Sequence, residues 1–141
     1  MTESGTTRLA TTADLEAMFS LRRRVFVVEQ QVPEDLERDE LDAVSDHAVH
    51  LIVGQVVATG RLLPDGTIGR MAVAPEHRGN GLGAAVLSRL EDRARERGLS
   101  RVELHAQAHA LGFYERSGWV AFGEPYEEAG IPHVSMFKGL S

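Results

Sequence analysis

The sequence predicts a single α/β domain over residues 1–141, with a mixed sheet of about six to seven strands flanked by helices. Three observations carry this expectation. A chain of 141 residues suffices for one well-cored domain and falls short of two ordinary ones. Apolar residues alternate with a period of two in several short segments and recur every third or fourth position in others. No repeat, low-complexity tract or linker divides these segments.

Taken in order, "TTRLA" is a short first strand. Thr11 or Thr12 then caps a helix with Asp14 and Glu16 in its first turn, where carboxylates favour the helix dipole. Leu15, Met18, Phe19, Val25 and Phe26 hold helical spacing to about Val28. Residues 30–45 are polar and read as irregular. "HAVHLIV", "QVVATGRLL" and "TIGRMAVA" are strands separated by Gly54 and by "PDG" at 64–66, the pattern of an antiparallel meander. Residues 80–97 form the clearest helix, with Leu82, Val86, Leu90 and Ala94 four apart and Gly98 as its stop. "RVELHA" is a strand with Val102, Leu104 and Ala106 on one face, "HALGFYERSG" a short helix closed by Gly118, and "WVAFGE" and "HVSMFK" the last strands.

The 43% hydrophobic and 26% charged content suits a globular protein. No apolar run approaches the ~20 residues that span a bilayer. "MTESGTTRLA" has neither the basic nor the apolar part of a secretory signal, so no membrane association and a cytoplasmic location are expected. The lack of cysteine excludes disulfides, thiolate metal sites and a cysteine nucleophile. The net charge of -6 argues against nucleic acid as a partner. Acid gathers in "PEDLERDELD" (33–42), opposed within the run by Arg38 alone. Such a run is either a solvated loop or an acidic lip that attracts a cationic substrate. Among the six histidines, His105 and His109 are four apart but straddle a strand end, and no His-Glu-x-x-His pattern occurs, so no metal is expected.

The stretch "MAVAPEHRGNGLGAAVLSRL" (71–90) joins an apolar strand to a helix through a basic loop punctuated by Gly79, Gly81 and Gly83. Backbone N–H groups of a first helical turn lack intrahelical partners and point outward, and the helix dipole adds partial positive charge. Glycines let the backbone approach a ligand, and Arg78 adds a permanent charge. The spacing is neither Gly-x-Gly-x-x-Gly nor a P-loop. Its order, Arg78-x-x-Gly81-x-Gly83, resembles the pyrophosphate-binding motif of the GNAT superfamily of acyl-CoA-dependent N-acyltransferases. "MAVAPEHRG" and "FYERSGW" (113–119) resemble further elements of that superfamily. "LRRRVFVVEQQVP", "ERDELD", "LHAQ" and "GIPHVSMFK" are together similar to its ElaA-like/YjcF-like subgroup.

The resemblance implies a sheet splayed at its centre, with acetyl-CoA as co-substrate. Met71, Ala72 and Val73 would meet the pantetheine arm, and Arg78, Gly79, Asn80, Gly81, Leu82 and Gly83 the pyrophosphate. Gln107 stands seven residues before the motif tyrosine, where many members carry asparagine. Tyr114 would be the general acid at the departing sulfur, or else an aromatic anchor of the core. An amine nucleophile must also lose a proton, for which Glu29, Glu103, His105 and His133 are candidates. Glu29 could equally be an exposed helix-end carboxylate, and His133 a hydrogen-bonded strand histidine. "RRR" (22–24) reads as a solvated helix face, with Arg22 in reach of the cofactor cleft or the acidic loop. The expected activity is transfer of an acetyl group to a primary amine of a small molecule or peptide by direct attack. "LRRRVF" also resembles the start of acyl-homoserine-lactone synthases, which take longer acyl donors, and a non-catalytic acyl-CoA-binding module is a third possibility. The expected assembly is a monomer or homodimer.

Overall fold

Residues 5–141 are described by the computed structural model, and among them seven strands form one sheet in the order β1-β2-β3-β4-β5-β7-β6. β1 (Thr6–Leu9), β2 (Asp46–Ile52), β3 (Gln55–Leu62) and β4 (Thr67–Val73) run antiparallel, as the Gly54 and "PDG" turns predict. β5 (Arg101–Gln107) joins β4 in parallel, and β7 (Ile131–Gly139) and β6 (Val120–Glu128) complete the sheet antiparallel.

The β4–β5 ladder consists of Thr67↔Glu103 and Ile68↔Leu104. Beyond those pairs the strands part, while β5 stays paired with β7 along its whole length. Arg70, just past the last pair, takes a left-handed φ of 52°. The β3–β4 register also shifts between Thr59 and Arg61, so β4 bulges where it leaves β5.

Helix α1 (Leu15–Arg22) does not continue as a regular helix to Val28: residues Arg23–Glu29 are π-helical, closed by Gln30 N donating to Val25 O. The wider turn changes which side chains face inward, and Met18, Leu21, Arg22, Val25 and Phe26 are all buried. The segment expected to be irregular holds a short helix α2 (Glu34–Glu37) and a 3-10 turn over Glu40–Val44. Helix α3 (Leu82–Glu96) buries Leu82, Val86, Leu90 and Ala94 against the sheet, and α4 (Leu111–Arg116) leads to Trp119. Trp119 Nε1 donates to buried Glu91 at 3.1 Å, and Lys138 Nζ pairs with the same carboxylate at 2.8 Å.

β6 and β7 are each longer than "WVAFGE" and "HVSMFK" suggest. Gly123 and Pro125 look like strand breakers, but β6 is the sheet edge, where a missing N–H costs no ladder bond, and the register shifts between Phe122 and Tyr126.

Arg22 is not part of a solvated face; it reaches the acidic loop, the alternative given for its position. It is fully buried, with Nε 2.6 Å from Glu37 Oε1 and Nη1 2.7 Å from Asp42 Oδ1. Arg61 binds Asp39 and Asp42 at 2.7 and 2.9 Å. Arg23 and Arg24 do remain at the surface, paired with Glu34 and Glu76. The acidic run therefore turns much of its charge inward onto arginines. Burial pushes the Asp42 carboxyl up, yet hydrogen bonds and charge from Arg22 overcome this and hold it at about 2.

Candidate active site

Where β4 and β5 part, a cleft of about 1080 Å³ opens between the π-helical segment, α2, the start of α3, α4 and the β6–β7 end. The carboxyl ends of β4 and β5 lie at its floor. Because β5 has diverged, the edge of Met71–Val73 that faces away from β3 has no ladder partner among the described residues. All three residues line the cleft.

The loop after β4 meets α3 at Gly81, whose φ of 79° is the left-handed conformation that glycine accepts without strain. Gly79, at φ 85°, does the same, and a Cβ at either would meet open space. The first intrahelical bond runs from Ala85 N to Gly81 O, so the N–H groups of Leu82, Gly83 and Ala84 precede it. They lie at the N-terminal end of a 15-residue helix, where orphan N–H groups and the helix dipole favour a negative charge. Gly83 also has a packing role: a Cβ there would come within 3.3 Å of Phe113 and 3.5 Å of Val73. Asn80 donates from Nδ2 to His77 O within this loop.

Arg78 is exposed but already paired. Its Nη1 and Nη2 each lie 2.7 Å from a Glu29 carboxylate oxygen, and its Nε donates to Val73 O. The Arg78 guanidinium holds the Glu29 carboxyl below the usual range. Glu29 is thus engaged by an arginine, which disfavours it as a proton acceptor. Its neighbour Gln30 accepts a hydrogen bond from Gln107 Nε2 at 2.9 Å. Consecutive residues at the end of the first helix therefore contact two of the expected cofactor-binding side chains, Arg78 and Gln107.

Tyr114 lines the cleft from α4 with its ring buried against Phe113 and Trp119, at centroid distances of 4.9 and 6.2 Å. Burial pushes its hydroxyl up to about 12, so it stays a neutral donor at ordinary pH. The catalytic and core-anchor alternatives for Tyr114 are therefore compatible in one side chain.

His133 is buried in the cleft wall, with Nδ1 2.7 Å from Ile131 O. A carbonyl only accepts, so Nδ1 carries the proton and Nε2 keeps the lone pair of the neutral ring. Nε2 lies 3.8 Å from Glu128. Tyr126 stacks on this imidazole at 5.8 Å, and its hydroxyl bonds His105 Nδ1. Glu103 is a correction: it pairs across the closed part of the ladder with Thr67, lies beside Arg101 at 3.2 Å, and does not line the cleft. Register puts it too far back along β5 to reach the opening.

Sequence reasoning missed Gln30 and Arg70. Nothing distinguishes Gln30 in "EQQ", whereas a lone arginine inside the apolar strand "TIGRMAVA" is a legible signal. Among the described residues, no three His, Asp or Glu side chains gather as metal ligands would, and no helix is long and apolar enough to cross a membrane.

Comparison with known proteins agrees with this geometry. The Acetyltransferase (GNAT) domain matches residues 9–140. YjcF of Bacillus subtilis (strain 168), named an N-acetyltransferase, is 38% identical over 128 residues, covering 88% of this chain and 91% of its own. The crystal structure of an acyl-CoA N-acyltransferase from Pseudomonas aeruginosa shares 38% identity with a TM-score of 0.84, covering 96% of this chain and 99% of its own. That of Escherichia coli ElaA shares 31% with a TM-score of 0.83, at coverages of 96% and 99%. A sheet that parts beside an open helix N-terminus, and a domain match over nearly the whole length, make this chain a member of the GNAT acetyltransferase family.

Proposed function

We propose that the chain is an acetyl-CoA-dependent N-acetyltransferase acting on a primary amine of a small molecule or peptide by direct attack. The observation that carries this is the open first turn of α3, capped by Gly81, beside the unpaired edge of β4. These features fit the two ends of one elongated ligand: a pyrophosphate at the helix N-terminus and a pantetheine amide along the strand edge. Gly79 and Gly81 leave room for close approach.

Acetyl-CoA supplies the activated acyl group. The chain's residues handle the protons and the charge. As the amine forms its C–N bond and the C–S bond breaks, His133 Nε2 takes the amine proton, its tautomer fixed by Ile131 O. Tyr114 donates a hydrogen bond to the departing sulfur, where negative charge develops. An ordinary thiol pKa of ~8.5 lies below that of this tyrosine, so the hydroxyl acts mainly by stabilising the thiolate, whose proton comes finally from solvent. The acidic 33–42 segment gives little support to an acidic lip that attracts a cationic substrate, because Glu37, Asp39 and Asp42 face arginines.

Isothermal titration with acetyl-CoA, followed by a CoA-release assay across an amine panel, tests this function. Sub-millimolar binding and turnover of a primary amine are expected. A folded protein that shows no binding would exclude the proposed function.

A further inference from the structure

With the acidic loop turned inward, one cation of the buried cluster is left facing the cleft. Arg70 sits on the β4 bulge in the left-handed conformation that favours glycine, although the chain places a glycine next to it at 69. Its Nε donates to Glu37 O at 2.9 Å and its Nη2 to Leu36 O at 3.2 Å, which fixes the guanidinium plane against α2. The nearby carboxylates are already committed. Glu37 lies 2.6 Å from Arg22 and 3.9 Å from Arg70, and Asp39 spans Arg61 at 2.7 and 3.1 Å, with 3.3 Å to Arg70. Nη1 of Arg70 takes no hydrogen bond among the described residues. Burial first, and then the like charges of Arg61 and Arg22, lower the pKa of Arg70, against the opposing pull of Asp39 and Glu37.

The strand registers put Arg70 and the proposed base beyond the same end of the β4–β5 ladder. Two residues on from the Ile68–Leu104 pair stand Arg70 and Ala106, and the next residue of β5, Gln107, pairs with His133. Arg70 and His133 therefore both lie beyond the last β4–β5 pair, on different strands, and both line the cleft. Beside His133 stands the carboxylate of Glu128. One side of the acceptor space offers a cation and the other an anion.

We propose that the acceptor carries a carboxylate as well as its amine, the carboxylate meeting Arg70 and the amine lying at His133 near Glu128. This rests on the acetyl-transfer function proposed above. Arg70 Nη1, at the cleft edge of a cluster of three arginines and three carboxylates, offers a donor that suits a monoanion, and the opposed charges orient an amino acid-like zwitterion.

The test is kcat/KM at saturating acetyl-CoA for alanine, β-alanine and γ-aminobutyrate. Each is compared with the alkylamine that lacks its carboxylate, with its amide, and with the aminoalkyl phosphate. At least one amino acid should exceed its alkylamine and its amide by tenfold or more, chiefly through KM, and should exceed the phosphate. Arg70→Gln should erase this preference while acetyl-CoA affinity stays within about twofold, and Arg70→Lys should keep part of it. Should either variant fail to fold, the wild-type panel decides alone. Alkylamines or phosphates acetylated as well as the amino acids overturn the carboxylate proposal and leave acetyl transfer standing. So does an Arg70→Gln protein that keeps the preference. Acetyl-CoA binding with no turnover of any amine overturns both.

Discussion

Glu29 grips Arg78 with both carboxylate oxygens at 2.7 Å, across 49 residues of sequence. The pair ties the end of the π-helical segment to the loop that leads into α3. Arg24 and Glu76 form a second tie of reversed polarity between the same two segments. A pyrophosphate arriving at α3 must share Arg78 with Glu29 or displace it, so the carboxylate competes with the ligand for one guanidinium.

Glu29→Gln should accordingly tighten acetyl-CoA binding. The pair is partly exposed, and such pairs contribute ~0.2–1 kcal/mol, so the gain should be about two- to fivefold at low salt and smaller at high salt. Titration calorimetry at two ionic strengths measures it. Weaker binding would show that Glu29 orients Arg78 for the ligand rather than withholding it.

Arg78→Ala should weaken acetyl-CoA binding by about tenfold without altering the melting temperature, since a charged hydrogen bond is worth ~1.5–3 kcal/mol and part of that is spent here on leaving Glu29. The loss should persist in the Glu29→Gln background. A double variant with wild-type affinity would reduce Arg78 to a neutraliser of Glu29, with the backbone N–H groups holding the pyrophosphate unaided.

Tyr114→Phe keeps the ring contacts with Phe113 and Trp119, so stability and acetyl-CoA affinity should change little. Turnover should fall by about a hundredfold with acceptor KM nearly constant, the signature of a contact made chiefly in the transition state. Because burial pushes the hydroxyl up to about 12, wild type and variant should share the same pH–rate profile through pH 9, displaced in height. Equal turnover would leave Tyr114 as a core residue only.

Arg22→Met should be among the most destabilising substitutions, because it strands the buried carboxylates of Glu37 and Asp42. Loss of one partner from a buried ion pair costs ~3–5 kcal/mol, readable from urea midpoints. In the wild type, the Asp42 carboxyl lies at about 2 when folded and near the ordinary ~3.9 when unfolded. Its stabilisation is therefore complete above about pH 5 and fades as pH falls toward 2. Asp39 is depressed in the same direction, and the acid limb of a stability profile should flatten in Asp42→Asn.

The most legible parts of this chain were those whose causes are local. Gly81, Gly83 and Arg78 mark a helix start within six residues, and Leu82, Val86, Leu90 and Ala94 repeat on one face regardless of what they pack against. Gly54 and "PDG" likewise fix two hairpins from adjacent residues. What could not be read depends on distant partners. Arg22 could be placed near the acidic loop, but its full burial depends on Glu37 and Asp42 coming to meet it, which neither the arginines nor the acids alone reveal. Glu29 looks like a free carboxylate until Arg78 arrives from the far side of β4. Strand β6 runs through Gly123 and Pro125 because it lies at the edge, which depends on sheet order rather than on its own composition.

The short ladder between β4 and β5 also bears on how the domain breathes. Two residue pairs join an antiparallel unit of β1–β4 to one of β5, β7 and β6, and α3 packs chiefly on β2 and β3 of the first unit. Each unit has its own continuous hydrogen bonding, so hydrogen exchange should report two zones of protection with the weakest seam between Ile68 and Leu104. A ligand lying along that seam fastens one zone to the other. Cofactor occupancy would then raise protection on both sides together, making the unliganded domain two loosely coupled halves and the liganded one a single cooperative body.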